Sequence, residues 1–276
     1  LKASELCPYT HSLIHDIFLA AGAPPGVINF LVSARSRAAE ITECLIANEY
    51  IRKIDFIGSQ NVGKMIAATA AKYLKPVLME LGGKCPAIVL DDADIQKAAG
   101  LCARGALFHH GQICFSTERI IVQRKIADEF TSALVNAVKE LEAQGVSEIA
   151  VSEGIAHHAF EVLEDAKKKG CNFVIGDAAF KEGTKASVRP AIVAVDTKAK
   201  PEDLRIVDEE TFGPSASLYV VDTDEDAIAL ANRSAYGLNA SIHTRNLERG
   251  LLTGRKLEYG QVHLNEITVY VNRKLP

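Results

Sequence analysis

Cys114 closes the run Phe108-His109-His110-Gly111-Gln112-Ile113-Cys114, and its thiol is the first group in this chain with the reach of covalent chemistry. It follows a stretch with helical pattern and precedes a β-rich stretch, Arg119 to Gln123. A thiol at such a junction can face a cleft, and the backbone N–H groups around it can meet a developing negative charge. Upstream, Glu80 stands in Met79-Glu80-Leu81-Gly82-Gly83-Lys84, where an apolar strand gives way to two glycines. A carboxylate at a strand end can act as base for a thiol or a water. Each residue also has an ordinary reading: a Cys after a helix as a small buried hydrophobe, a Glu before Gly-Gly as a plain strand end.

One further stretch suits a nucleotide, whereas the acidic run Asp208-Glu209-Glu210-Thr211-Phe212-Gly213-Pro214 reads by itself as a solvated turn closed by Gly-Pro. Gly58-Ser59-Gln60-Asn61-Val62-Gly63 lies between an expected strand over 51–57 and a helix over 60–73. There the backbone N–H groups and the positive helix end can receive a pyrophosphate, although the spacing is neither G-x-G-x-x-G nor a Walker loop. Ser59 as a simple helix cap accounts for the same residues.

Taken together, these stretches resemble the aldehyde dehydrogenase superfamily. Its ELGGK signature carries the general base, here Glu80, and its GQ-x-C signature carries the nucleophile, here Cys114; their order and interval fit. Its F-T-G-S-x-x-x-G pattern maps onto Gly58, Ser59 and Gly63, with Ile57 in the Thr position, and its E-E-x-F-G-P motif onto Glu210 and Phe212. Leu81 joins the cofactor contacts on the same ground. A K-P-x-E run that bonds the adenosine ribose maps onto Lys2 and Glu5, with Ala3 for the Pro. A Glu facing the 2′-hydroxyl repels a 2′-phosphate, so NAD is favoured and NADP is the second choice. Tyr236-Gly237-Leu238-Asn239-Ala240 and Gly260-Gln261-Val262-His263-Leu264-Asn265 match later family segments. The resemblance implies oxidation of an aldehyde to the acid through a thiohemiacetal and thioester on Cys114. The wording around Cys114 and Lys75-Pro76-Val77 is similar to the subgroup acting on salicylaldehyde or vanillin. Full-length relatives are expected to be homo-oligomers.

Helix and strand patterns alternate at short intervals through the first part of the chain, with helices to Phe18 and over 37–48 and strands over 27–32, 51–57 and 77–81. That pattern predicts a parallel sheet with covering helices. After Pro86, strands over 88–90, 119–123, 172–175, 191–195 and 215–221 and helices from Asp94 to Phe108, over 126–141, 155–169 and 224–232 predict a second unit. The expected fold is α/β: a partial Rossmann-like, dinucleotide-binding domain over 1–85, an aldehyde dehydrogenase-type catalytic domain bearing the thiol over 86–269, and a divergent tail over 270–276. Where the family has a Gly-Pro-Leu run, this chain has Gln144-Gly145-Val146-Ser147.

The 276 residues carry a formal charge of −4, which argues against nucleic-acid or anionic-membrane partners. No stretch approaches the roughly 18 continuous apolar residues of a membrane span. Six scattered cysteines without C-x-x-C suit reduced thiols in a cytoplasmic enzyme. His109 and His110 are adjacent and point apart, so no metal site is expected. Phe108 and Phe115 serve equally as substrate-facing rings or as core.

The chain opens on Leu1, and matching to the family ends near Val269, so the expectation is a piece of a longer enzyme, truncated at both ends. The family's P-W-N stretch, whose Asn amide completes the oxyanion hole, has no counterpart here. The alternatives are a Cys114-dependent esterase or thioesterase without redox chemistry, or a non-catalytic protein that binds a nucleotide or a partner.

Overall fold

The computed structural model describes residues 1–145 and 149–269. The expected tail over 270–276 and the Val146-Ser147 part of the rewritten loop lie outside the described residues. Contacts divide the chain into two units, Leu1–Leu81 and Gly82–Pro276. The division falls before Gly82 rather than after residue 85, because the intervening segment is tied into the second unit. Gly83 N donates to Glu210 Oε1 (3.0 Å) and Lys84 Nζ to Glu118 Oε2 (2.6 Å).

The first unit runs α1 (Pro8–Ala20), α2 (Ala38–Ala47), β1 (Ile54–Ile57), α3 (Gln60–Lys72) and β2 (Val77–Glu80). β1 and β2 pair in parallel, Ile54 opposite Val77 and Ile57 opposite Glu80. Ile46 of α2 and Ile66 and Ala70 of α3 bury against Ile54, Phe56 and Met79, so two helices cover one face of the ribbon. α1 buries none of its side chains and exposes Leu13, Ile14, Ile17 and Phe18. The strand expected over 27–32 shrinks to one bridge, Leu31 opposite Lys2. The Pro24-Pro25-Gly26 turn and the short Leu1–Ala3 partner leave few pairable groups, and two backbone bonds close it: Ala3 N to Leu31 O and Leu31 N to Leu1 O.

The second unit runs β3 (Cys85–Val89), α4 (Ile95–Leu107), β4 (Thr117–Gln123), α5 (Ala127–Ala143), α6 (Glu153–Lys168), β5 (Asn172–Ile175), β6 (Ala191–Ala194), β7 (Ser215–Val221), α7 (Asp224–Asn232), β8 (Asn239–His243), α8 (Leu247–Gly254) and β9 (Gln261–Leu264). The strands form one sheet in the order β5-β6-β7-β4-β3-β8-β9, parallel except for β5 against β6. Central strands covered on both faces are buried throughout, as β3 and β4 are. Alternate residues feed opposite cores: Ile88, Ile121 and Tyr219 pack with α6 and α7, while Ala87, Val89, Ile120 and Val122 pack with α4 and α5. Pro86 brings no N–H to the ladder, and the β3–β4 register shifts between Cys85 and Pro86.

Within the second unit, two elements depart from the pattern read in the sequence. β4 begins at Thr117, so Glu118 and Arg119 lie inside a buried strand instead of at its mouth. α8 was not expected: Gly250 and Gly254 make it a poor helix former, and tertiary ties hold it. Asn246 caps it by accepting from Arg249 N (3.0 Å), and the Arg249 side chain bonds Asp224 and Asp91. Among the described residues no helix is long and apolar enough to cross a membrane.

Candidate active site

Cys114, Gly83 and Glu210 precede the amino ends of β4, β3 and β7, which are neighbours in the sheet. Open α/β sheets more often present ligands at the carboxyl ends of their strands. Here those ends are closed by Arg249, whose guanidinium bonds Asp224 (2.5 Å), Asp91 (2.7 Å), Asp92 (3.2 Å) and Gln123 (3.2 Å).

The Cys114 loop is shaped by its backbone. His109 and His110 have φ of 55° and 60° and Gly111 of 69°, all left-handed. At Gly111 a Cβ would stand 2.0 Å from Gly213 O, so only glycine lets the two loops approach. Ser116 ties the loop from below, its N donating to Ile113 O (2.8 Å) and its Oγ to Gly111 O (3.2 Å). Gln112 reaches sideways: Nε2 donates to His109 O and Ile149 O, and Oε1 accepts from Val151 N. His110 is buried and accepts from Val188 N through Nε2 (3.3 Å). Burial, aided by the charges of Lys181 and His109, pulls its pKa down to about 4. Cys114 itself is partly exposed, whereas burial pushes the neighbouring Cys85 thiol up to about 12 and keeps it protonated. Phe108 is 43 % exposed beside the Arg104 guanidinium, so it is not a core residue.

Gly82-Gly83 is where the loops meet. A Cβ on Gly83 would fall 2.4 Å from Cys114 O, and one on Gly82, at φ 86°, 2.5 Å from both Glu210 carboxylate oxygens. Around Glu210, Phe212 has φ 48°, and His158 Nε2 donates to Glu210 O (2.9 Å). The Arg205 guanidinium, bidentate on Glu209, holds that carboxyl below its ordinary value. Burial, followed by the negative Glu210 beside it, pushes Tyr236 up to about 12.

In the first unit, Gly58 and Ser59 lie between β1 and α3, and Ser59 Oγ caps the helix by accepting from Val62 N at 3.5 Å. A Cβ on Gly63 would fall 2.3 Å from Leu81 Cδ2, so Gly63 lets α3 approach the end of β2. Lys2 pairs with Leu31 through its backbone, and Glu5 sits in the turn before α1. Glu80 ends β2, and its Oε1 is buried without a hydrogen-bond partner among the described residues. An orphaned carboxylate oxygen is a candidate proton acceptor. A strand, a Gly-Ser turn and a loosely capped helix start fit a pyrophosphate, and a carboxylate fixed against Gly82-Gly83 fits ribose hydroxyls.

The residues that pattern reading passed over are Lys84, Glu118 and Arg119. Arg119 donates to the carbonyls of Lys84 (2.8 Å), Leu230 (3.1 Å) and Ala231 (2.9 Å) and to Tyr259 Oη (2.5 Å). The available signal is three charges flanking β-rich, apolar stretches; such charges are buried only when paired. Among the described residues no group of three His, Cys, Asp or Glu side chains is placed to hold a metal ion.

A mostly parallel sheet covered by helices on both faces is an α/β fold, and comparison with known proteins makes it specific. The aldehyde dehydrogenase family model matches residues 1–276, and the chain belongs to that family. It is 40% identical over 282 residues to a salicylaldehyde dehydrogenase of Pseudomonas sp. (strain C18) and 39% identical over 283 residues to a vanillin dehydrogenase of Pseudomonas fluorescens. Both matches cover 100% of this chain and 57% of the relative. The crystal structure of a salicylaldehyde dehydrogenase from Pseudomonas putida G7 complexed with salicylaldehyde superposes with a TM-score of 0.90 at 40% identity, covering 100% of this chain and 57% of that one. The chain thus spans little more than half the length of the relatives it matches.

Proposed function

We propose that this chain carries the cofactor-gripping and thiol-bearing parts of an NAD-dependent dehydrogenase of aromatic aldehydes, salicylaldehyde being the substrate to try first. The observation that carries the reading is the meeting of the Cys114 carbonyl and the Glu210 carboxylate on Gly82-Gly83. Nucleophile loop and ribose-binding carboxylate belong side by side in such an enzyme, and the named relatives favour redox chemistry over ester hydrolysis.

Cys114 loses its proton to a water or to Glu80, and its sulfur bonds the aldehyde carbon. The backbone N–H of Cys114 is the donor this chain offers to the resulting oxyanion. Glu210 would hold the nicotinamide-side ribose and Phe212 the nicotinamide ring; Gly58, Ser59 and Gly63 would receive the pyrophosphate with Leu81 beside it, and Lys2 and Glu5 would bond the adenosine ribose. NAD, when bound, supplies the acceptor for the hydride that leaves the substrate carbon. The acyl group remains on Cys114 as a thioester, and Glu80 takes a proton from the water that releases the acid. Glu5 beside the 2′-hydroxyl sets the preference for NAD over NADP. A cytoplasmic setting suits six thiols without a disulfide among the described residues.

The test is NADH formation by the 276-residue chain with salicylaldehyde, vanillin and an aliphatic aldehyde. NADH from the aromatic aldehydes, lost in Cys114→Ala, is the expected result; Cys114-dependent hydrolysis of an activated ester with no NADH formed overturns the reading.

A further inference from the structure

We propose that the buried Lys84–Glu118 pair is the positioning device for the cofactor-gripping turn: it fixes Glu210 and Phe212 by tying residues 209–212 to the amino ends of β3 and β4. The inference rests on the reading of Glu210 and Phe212 as cofactor contacts.

The bonding is complete on both sides. Lys84 is fully buried, and its ammonium donates to Glu118 Oε2 (2.6 Å), Glu209 O (2.6 Å) and Thr211 Oγ1 (3.1 Å), which uses all three of its donors. Glu118 Oε1 accepts from Thr211 N (3.0 Å) and Phe212 N (2.9 Å), and Oε2 from Thr211 N (2.8 Å). Glu210 therefore lies between a carbonyl held by Lys84 and an amide held by Glu118. Phe212 follows at φ 48°, a conformation that a residue with a side chain keeps only where its surroundings impose it. Arg119 Nε holds Lys84 O (2.8 Å), so the anchor is itself anchored.

A buried ion pair is a poor device for stability, because desolvation offsets much of the attraction and an uncharged replacement of both partners is often tolerated. What this pair supplies is direction. Two strand ends and one strained turn share it, and the turn carries the two side chains assigned to the cofactor.

The test uses Lys84→Met/Glu118→Gln, which removes both charges but leaves an amide oxygen for the Thr211 and Phe212 N–H groups. Thr211→Val, which removes one Lys84 tie without touching the charges, is the second variant. Hydrogen exchange of the peptide spanning residues 205–214 reads the turn without any cofactor, and nicotinamide fluorescence reads NADH binding. The double variant is expected to melt near the parent temperature, to exchange faster across residues 209–212, and to bind NADH about tenfold more weakly, the loss of roughly one hydrogen bond's worth of grip. Thr211→Val is expected to move both readouts the same way by a smaller factor. Unchanged exchange in folded variants overturns the hold on the turn, and faster exchange with unchanged NADH binding overturns its purpose. A parent chain that binds no NADH overturns the cofactor reading itself and the purpose with it, while exchange still reports the hold separately.

Discussion

The Gly83 amide donates to Glu210 Oε1 at 3.0 Å, joining two segments 127 residues apart in the chain. A Cβ on the same glycine would meet the Cys114 carbonyl, so a single residue without a side chain spaces the Cys114 loop from the Glu210 carboxylate.

Replacing Gly111 by Ala puts a methyl group 2.0 Å from Gly213 O in a backbone held at φ 69°. Strain and overpacking add, so the variant is expected to lose about 3 kcal/mol or more of stability. Urea denaturation measures it; a midpoint equal to the parent's contradicts the packing described.

On the proposed mechanism, Glu80→Gln removes the base that activates water and leaves thiol attack possible. Turnover is expected to fall about a hundred- to ten-thousandfold, with a first burst of NADH followed by slow release. Stopped-flow fluorescence distinguishes this from a uniform loss of rate, which would place Glu80 at an earlier step.

His110 sets an acid sensitivity. Its imidazole titrates near 6.5 when unfolded and about 4 when folded, so the native state binds fewer protons between those values. Its contribution is full above about pH 6.5 and is lost as pH falls toward 4, by about 3 kcal/mol at most. Buried His243, also pulled down to about 4, adds the same sign. His110→Gln keeps an acceptor for Val188 N and is expected to flatten part of this slope, leaving the share of His243. Denaturation midpoints between pH 4 and 7 decide it, and an unaltered slope contradicts the assignment.

Arg249 closes the opposite ends of the strands, and its pairing holds Asp224 and Asp91 below their ordinary 3.8. Arg249→Ala is expected to cost about 1 to 2 kcal/mol after allowance for solvent screening. Because depressed carboxyls stabilise above their unfolded value and lose that effect as pH falls through the folded one, the cost shrinks below about pH 3.8. NADH formation by the folded variant is expected to be near that of the parent, since the cluster lies at the far ends of the strands.

Much of this was legible beforehand, and the exceptions share a cause. Cys114, Glu80, Glu210 and Phe212 stand in three short motifs, which is why the linear chain offers them as candidates. The parallel strands and most helices announced themselves by unbroken apolar runs or helical spacing, from β3 to α7. Lys84, Glu118 and Arg119 did not, because a charge in sequence reads as solvated until its partner, here Glu209 O or Leu230 O across the fold, is known. α8 stayed hidden because its glycines lower helix propensity and its stability comes from Arg249 contacts made at long range. The strand over 27–32 failed in the opposite sense: apolar residues were present, but only Leu31 found a bridging partner.

The most direct measurement is intact-mass and peptide mapping of Glu80→Gln after incubation with salicylaldehyde and NAD, where slow hydrolysis lets the acyl enzyme accumulate. The account predicts a hydroxybenzoyl adduct on the peptide containing Cys114, formed only when NAD is present. An unmodified Cys114 after NADH has formed, or an adduct on another cysteine, would contradict it.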